Sequence, residues 1–244
     1  IEEQVKKIHK YQAAYHAIIK DYYDHGLLPA YTSGFISLEK QFLTIGVNGL
    51  VEAAESKGIS IADSKEYNEF VDGILYPIFE QNKLAKEKYG IMFNTEFVPA
   101  ENLGVKNSKW DKADNLKVNR DCYNSYFYLV ESEKTNPIDK FILHGEKYTK
   151  YLDGGSALHL NLDEHLDVEQ YMQLLKVAAI NKTNYWTVNV KNTVCNDCDH
   201  IDKSTHEKCP VCGSTNIDYA TRVIGYLKRV KSFSSDRQVE AKDR

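Results

Sequence analysis

The sequence predicts an α/β protein that ends in a small cysteine-rich module. Three observations carry this. Segments of helical period alternate with short β-rich runs, which argues for an α/β layer or barrel. The breaks between them fall at Gly, Pro, Asn and Asp residues. Past Val190 the alternation gives way to two Cys-x2-Cys pairs. With 244 residues, 42% of them apolar, the chain can bury a sizeable core. A charged fraction of 27% and a net charge of −4 fit an ordinary soluble protein and do not suggest a general nucleic-acid surface.

The elements follow in order. From Val5, the residues Ile8, Tyr11, Tyr15, Ile18 and Tyr22 recur at spacings of three and four, the stripe of an amphipathic helix that Gly26 and Pro29 end, so one face should be buried. A β-rich run from Phe42 to Val47 leads into a helical LVEAAESKG closing on Gly58. Another helix is expected from about Ser64 to Lys88, bent at Pro77. After Gly90 come the extended pieces IMFNTEFVPAENLGV, YNSYFYLVE and SALHLNL, then a helix capped by Asp167 and running to about Ile180, then the strand NYWTVNV. The one domain boundary lies near Val190 to Val194, giving an α/β portion at 1–190 and a module at 191–244.

In the module, Cys195 and Cys198 are followed after ten residues by Cys209 and Cys212. Two such knuckles can present four thiolates to one tetrahedral ion, and a four-sulfur set with no open position reads as a structural zinc site. Gly213, after the last ligand, suits a turn of positive φ. His200 and His206 lie in the intervening loop as less favoured substitute ligands. No apolar run reaches the ~20 residues that span a bilayer, and four paired thiols suit a reducing compartment, so a cytoplasmic location is expected, with no membrane partner. The chain begins on Ile1, without an initiator methionine or leader, as part of a longer polypeptide would.

Shortly beyond the clamp comes RVIGYL, Arg222 to Leu227, with Gly225 at its centre. A lone glycine is ordinarily a turn or bulge. Directly after a four-cysteine ribbon, however, RVIGYL resembles the glycyl-radical site of the anaerobic (class III) ribonucleoside-triphosphate reductases. FISLEKQFLTIGVNGLVEAAESKGI, FNTEFVPAENLGVKNSKWDK, VNRDCYNSYFYL, LHGEKYTKYLDGGSALHLNL and the tail through SSDRQVEA resemble consecutive blocks of that family's C-terminal portion.

The resemblance implies the C-terminal part of a ten-stranded α/β barrel followed by a zinc-ribbon radical domain. It implies that Gly225 carries a glycyl radical generated by a separate iron–sulfur activating enzyme using S-adenosylmethionine. The radical would pass to a cysteine in the upstream N-terminal portion, which also carries the nucleotide-regulatory region; no residue here matches that cysteine, so either a partner chain from a split gene or a longer polypeptide would supply it. The substrates implied are ribonucleoside triphosphates, and the assembly a homodimer. Glycine suits the role because a captodatively shared Cα radical must be planar and a Cβ would hinder that. A metal clamp would hold such a loop without a large core.

The family pattern places an active-site glutamate at the end of Pro-Ala-Glu, here Glu101, as the candidate general base for a 3′-hydroxyl proton. Glu96 and Asn94 are substitutes if the register differs, and a surface glutamate is the bland alternative. Asp153-Gly154-Gly155-Ser156 is either a hairpin turn, the favoured reading, or a source of anion-binding amides. Tyr226 either orients the radical or simply packs, and Cys122 reads as a packed cysteine more readily than as a redox group. The competing class is a non-catalytic zinc-ribbon binding protein, for which Lys228, Arg229 and Lys231 would supply a basic surface. A related glycyl-radical lyase is a third reading.

Overall fold

The structure, a computed structural model, describes residues 1–98, 103–124, 126–128, 136–162, 164–222 and 227–242. Helix α1 (Glu2–Asp24) and the single turn α2 (Pro29–Thr32) precede strand β1 (Phe42–Val47). Helices α3 (Leu50–Ser56) and α4 (Lys65–Tyr89) then cross back to β2 (Met92–Phe97), which lies parallel to β1 from Phe42↔Met92 to Val47↔Phe97. The Ser64 side chain caps α4 by accepting from the Tyr67 amide. Gly90, at φ +68°, ends it, and the helix continues through Pro77.

Helices α5 (Leu103–Ala113), α6 (Pro137–Leu143) and α7 (Glu146–Thr149) lead to β3 (Leu158–Leu162). Then α8 (Val168–Asn181), with the capping box of Asp167 and Gln170, returns the chain to β4 (Trp186–Val190), parallel to β3. The two parallel pairs are linked through an isolated parallel bridge, Glu96 to Gly155. Four strands, β5 (Asn192–Cys195), β6 (Ile201–Asp202), β7 (Ile217–Arg222) and β8 (Leu227–Arg229), form an antiparallel sheet in the order β6-β5-β7-β8, and α9 (Ser235–Lys242) closes the described chain.

The core lies between the parallel strands and α4. Tyr67, Val71 and Leu75 recur every four residues and are fully buried with Phe127, Phe141, Tyr148, Leu158 and Leu160. The rings of Phe97 and Phe127 sit 4.3 Å apart, and that of Phe141 meets Trp186 edge-on at 5.2 Å. A buried polar chain ties the first elements together: His9 Nε2 pairs with Asn82 Oδ1 at 2.8 Å, and Asn82 Nδ2 donates to Thr95 Oγ1 at 2.9 Å.

Besides helix α5, which begins inside the piece IMFNTEFVPAENLGV expected to be extended, three expectations need correction. The α1 stripe is not the buried face: Ile8, Tyr11, Tyr15, Ile18 and Tyr22 are 40–67% exposed, while Val5 and His9 are buried. The helix packs on α4 through the neighbouring face, about 100° round the helix, where Gln12 also donates to the Thr44 carbonyl at 2.8 Å. Second, the described part of YNSYFYLVE forms no strand. Tyr126, Phe127 and Tyr128 are buried bends whose aromatic rings fill the core, with Tyr67 Oη donating to the Phe127 carbonyl at 2.8 Å. Third, Asp153–Ser156 is not a hairpin turn but a parallel link beside β2. The Gly154 amide donates to the Thr95 carbonyl at 2.8 Å, and Asp153 Oδ1 accepts from the Thr95 amide at 2.8 Å, so that glycine's N–H is not offered to an anion.

Candidate metal centre and the strand that leaves it

The four cysteines converge. Cys195 Sγ lies 3.6 Å from Cys212 Sγ and Cys198 Sγ lies 3.6 Å from Cys209 Sγ, with all four sulfurs within 4.8 Å of one another. A tetrahedron with zinc–sulfur bonds of about 2.3 Å has sulfur–sulfur edges of about 3.8 Å, so the set fits one zinc ion with small adjustments. Cys195 and Cys209 are buried and Cys198 and Cys212 are exposed.

Each knuckle is built by its backbone. The Cys195 amide donates to His200 O at 2.9 Å, the Cys209 amide to Ser214 O at 2.8 Å, and the Gly213 amide to Cys209 O at 2.9 Å. Gly213 has φ +73° and Asp199 φ +58°, the left-handed corners such turns require. The backbone N–H of Cys212, partly opposed by desolvation, draws the Cys209 thiol down, while Cys198 and Cys212 are raised with hydrogen bonds to their neighbouring sulfurs among the causes, so the sulfurs share protons that a metal would displace. His200 and His206 do not join the sulfurs; both flank Asp202, at 3.5 and 3.1 Å.

Asp197, within the first knuckle, reaches the second. Its Oδ2 accepts from Ser214 Oγ at 2.5 Å and its Oδ1 from Asn216 Nδ2 at 2.6 Å, and these bonds hold its carboxyl below the usual range. The basic run is engaged locally. Arg229 Nη1 donates to Asn196 Oδ1 at 2.7 Å, Lys231 Nζ to Ile217 O at 2.9 Å, and Lys228 lies over the Phe233 ring.

Strand β7 carries the chain from this module towards Gly225. It ends at Arg222, opposite Leu227 of β8. Gly225 and Tyr226 fall between these two residues in sequence, outside the described residues, as does Glu101. Arg222 is also joined to β4: the buried Asn189 side chain donates through Nδ2 to Arg222 O at 2.5 Å and accepts from the Arg222 amide at Oδ1, 3.1 Å. Its second Nδ2 hydrogen goes to Asn161 Oδ1 of β3 at 3.1 Å. Sequence reasoning missed this contact, although an Asn one residue before the end of each of two apolar strands, LHLNL and WTVNV, was a readable signal.

Among the substitutes for Glu101, Asn94 and Glu96 share the less buried face of β2, and desolvation holds the Glu96 carboxyl above its usual range. Asn94 Oδ1 is buried without a hydrogen-bond partner. Cys122 is half-buried against Gly104, where an added Cβ would lie 3.2 Å from its Sγ. Among the described residues no helix is long and apolar enough to cross a membrane.

The family described as anaerobic ribonucleoside-triphosphate reductase matches residues 1–244. A solved anaerobic ribonucleotide reductase is similar with a TM-score of 0.90 and 32% identity, over 100% of this chain and 40% of that one. The Thermotoga maritima anaerobic ribonucleotide reductase in complex with dATP and CTP is similar with a TM-score of 0.86 and 32% identity, over 98% and 40%. The same enzyme with MES in its active site gives 0.85 and 33%, over 96% and 40%. The chain thus spans about two fifths of the length of these structures. No match is found among curated proteins.

Proposed function

This chain belongs to the anaerobic ribonucleoside-triphosphate reductase family, and we propose that it supplies the C-terminal part of that enzyme's barrel, at 1–190, together with its glycyl-radical module, at 191–244. The observation that carries the proposal is the four-sulfur cluster, set on the same small sheet whose strand β7 ends three residues before Gly225 in sequence. A binding module would have no use for that strand's attachment to β4. The local engagement of Arg229 and Lys231 also speaks against an open basic surface.

In this reading Cys195, Cys198, Cys209 and Cys212 hold zinc, whose role is structural: it fixes the ribbon and takes no part in the reaction. An S-adenosylmethionine-dependent iron–sulfur activating enzyme removes one α-hydrogen from Gly225. A hydrogen atom from a cysteine of the upstream portion then passes to the Gly225 Cα, leaving a thiyl radical, which abstracts the 3′-hydrogen of a ribonucleoside triphosphate. Glu101 takes the 3′-hydroxyl proton, and the 2′-hydroxyl leaves as water. Two electrons from a formate or thiol-protein reductant, with two protons, and return of the abstracted hydrogen to C3′ complete the deoxyribonucleotide and regenerate the thiyl radical. The exposed stripe of α1 gives a natural packing face for the upstream half of the barrel. The active unit is a homodimer in the cytoplasm.

The test is anaerobic incubation of the activated chain, together with its upstream portion, with ribonucleoside triphosphates and reductant. Deoxyribonucleotide formation that is lost in Gly225→Ala and in Glu101→Gln is the expected result. A turnover that survives Gly225→Ala would contradict the reading.

A further inference from the structure

Asn189 occupies an unusual place between the two sheets. β5 pairs with β7 only as far as Asn192↔Ala220, so two residues further along β7 the edge away from β8 has no strand partner. There the Asn189 carboxamide takes the partner's place, accepting from the Arg222 amide at 3.1 Å and donating to the Arg222 carbonyl at 2.5 Å. One side chain thus reproduces both bonds of a sheet ladder. Its remaining N–H goes to Asn161, its register partner in the parallel pair, at 3.1 Å. Asn189 is 5% exposed, and both donor hydrogens and the acceptor of its amide are used. Among described residues, these bonds carry β7 onto the parallel strands at the last position before residues 223–226.

We infer that Asn189 is a positioning residue for the radical chemistry, setting the register in which the strand leading to Gly225 is joined to the barrel. The inference rests on the reading of Gly225 given above. Gly225 lies three residues beyond Arg222, within about 10 Å of chain. A one-residue slip of β7 would move its end by about 3.3 Å and turn its side chains to the opposite face. Hydrogen-atom transfer needs the reacting atoms within about 3–3.5 Å, and a misplacement of about 1 Å costs roughly 100-fold in rate. Asn161 acts behind Asn189 as a strut, fixing the rotamer that presents the amide edge to Arg222.

The test uses the full-length enzyme that contains this chain, activated anaerobically. Radical content is read from the electron paramagnetic resonance doublet, and turnover is expressed per radical. Asn189→Ala is expected to keep its zinc and its radical yield while turnover per radical falls roughly 100-fold. Asn189→Asp, which retains the acceptor for the Arg222 amide but sets a carboxylate against the Arg222 carbonyl, is expected to fall similarly. Asn161→Ala, which leaves both Arg222 bonds in place, is expected to lose about tenfold. A purely structural role would lower the melting temperature and zinc content and leave turnover per radical unchanged. That outcome in Asn189→Ala, or in Asn161→Ala should Asn189→Ala fail to fold, overturns the inference. A wild-type enzyme that shows no doublet would instead overturn the Gly225 reading, and this inference with it.

Discussion

Asp197, between the two ligands of the first knuckle, accepts a hydrogen bond at 2.5 Å from Ser214, which lies just past the last ligand of the second. The knuckles are therefore tied by a carboxylate as well as by their shared sulfur cluster. Outer-sphere ties of this kind orient ligands and typically change metal affinity by about 10–100-fold. Asp197→Ala is expected to retain one zinc per chain yet lose it about tenfold or more faster to a chelator. The bonds hold the Asp197 carboxyl low, so this support is present above the ordinary aspartate range and fades only in acid. Metal release followed with a chromogenic chelator checks this.

Removing a ligand should have a larger effect than removing the tie. Cys209→Ser takes away the sulfur that the Cys212 amide draws towards the thiolate, and is expected to abolish stoichiometric zinc binding. The antiparallel sheet should then lose its order, because a small module of this size depends on its metal. Metal analysis, with hydrogen exchange across residues 192–222, reads both effects.

His144 is fully buried, and neither ring nitrogen has a partner within hydrogen-bond geometry. Desolvation lowers it to about 4, opposed by the nearby Ser156 backbone. In the unfolded chain it protonates near its ordinary value of about 6.5, so the unfolded state binds the extra proton first. Stability is complete above about 6.5 and falls by about 3 kcal/mol as the pH drops to about 4. His144→Leu is expected to flatten that part of the profile, as followed by denaturant unfolding at stepped pH.

Arg120 bridges two carboxylates, at 3.0 Å from Glu52 and 2.7 Å from Glu55. The acids respond oppositely: desolvation holds Glu52 above the usual range, while the Arg120 hydrogen bond draws the more exposed Glu55 below it. Arg120→Ala leaves Glu52 buried without its cation and is expected to cost about 3–5 kcal/mol at neutral pH. The loss should shrink as the pH falls and Glu52 protonates, and Glu52→Gln in the same chain should recover part of it. Urea unfolding of the single and double variants gives the comparison.

Much of the fold was legible because the signals were local. Ser64 and Gly90 bracket α4, Asp167 with Gln170 starts α8, and the β-rich runs at Phe42–Val47 and Trp186–Val190 became parallel strands. The four cysteines also met as their spacing predicts. What failed depended on distant neighbours. Helix α5 was missed because the residues it buries, Gly104, Val105 and Ser108, are small and make a faint stripe. The α1 stripe marks a face that is exposed in this chain, so periodicity alone pointed to the wrong side of the helix. Gly154 reads locally as a turn, yet its place is set by the Thr95 carbonyl, which an added Cβ would approach to 2.8 Å. The Asn189 contact is with a backbone 33 residues away, so the paired Asn of LHLNL and WTVNV mark the position without naming that partner.

In the proposed reading the clamp and β7 serve Gly225. The most direct measurement is the electron paramagnetic resonance spectrum of the zinc-loaded chain, together with its upstream portion, after anaerobic incubation with its activating enzyme and S-adenosylmethionine. A doublet split by the one remaining α-hydrogen, absent in Gly225→Ala, is the predicted result. A silent spectrum from metal-replete protein, with an activating enzyme shown to be active on another substrate, would contradict the account and leave the cysteine ribbon holding an ordinary turn.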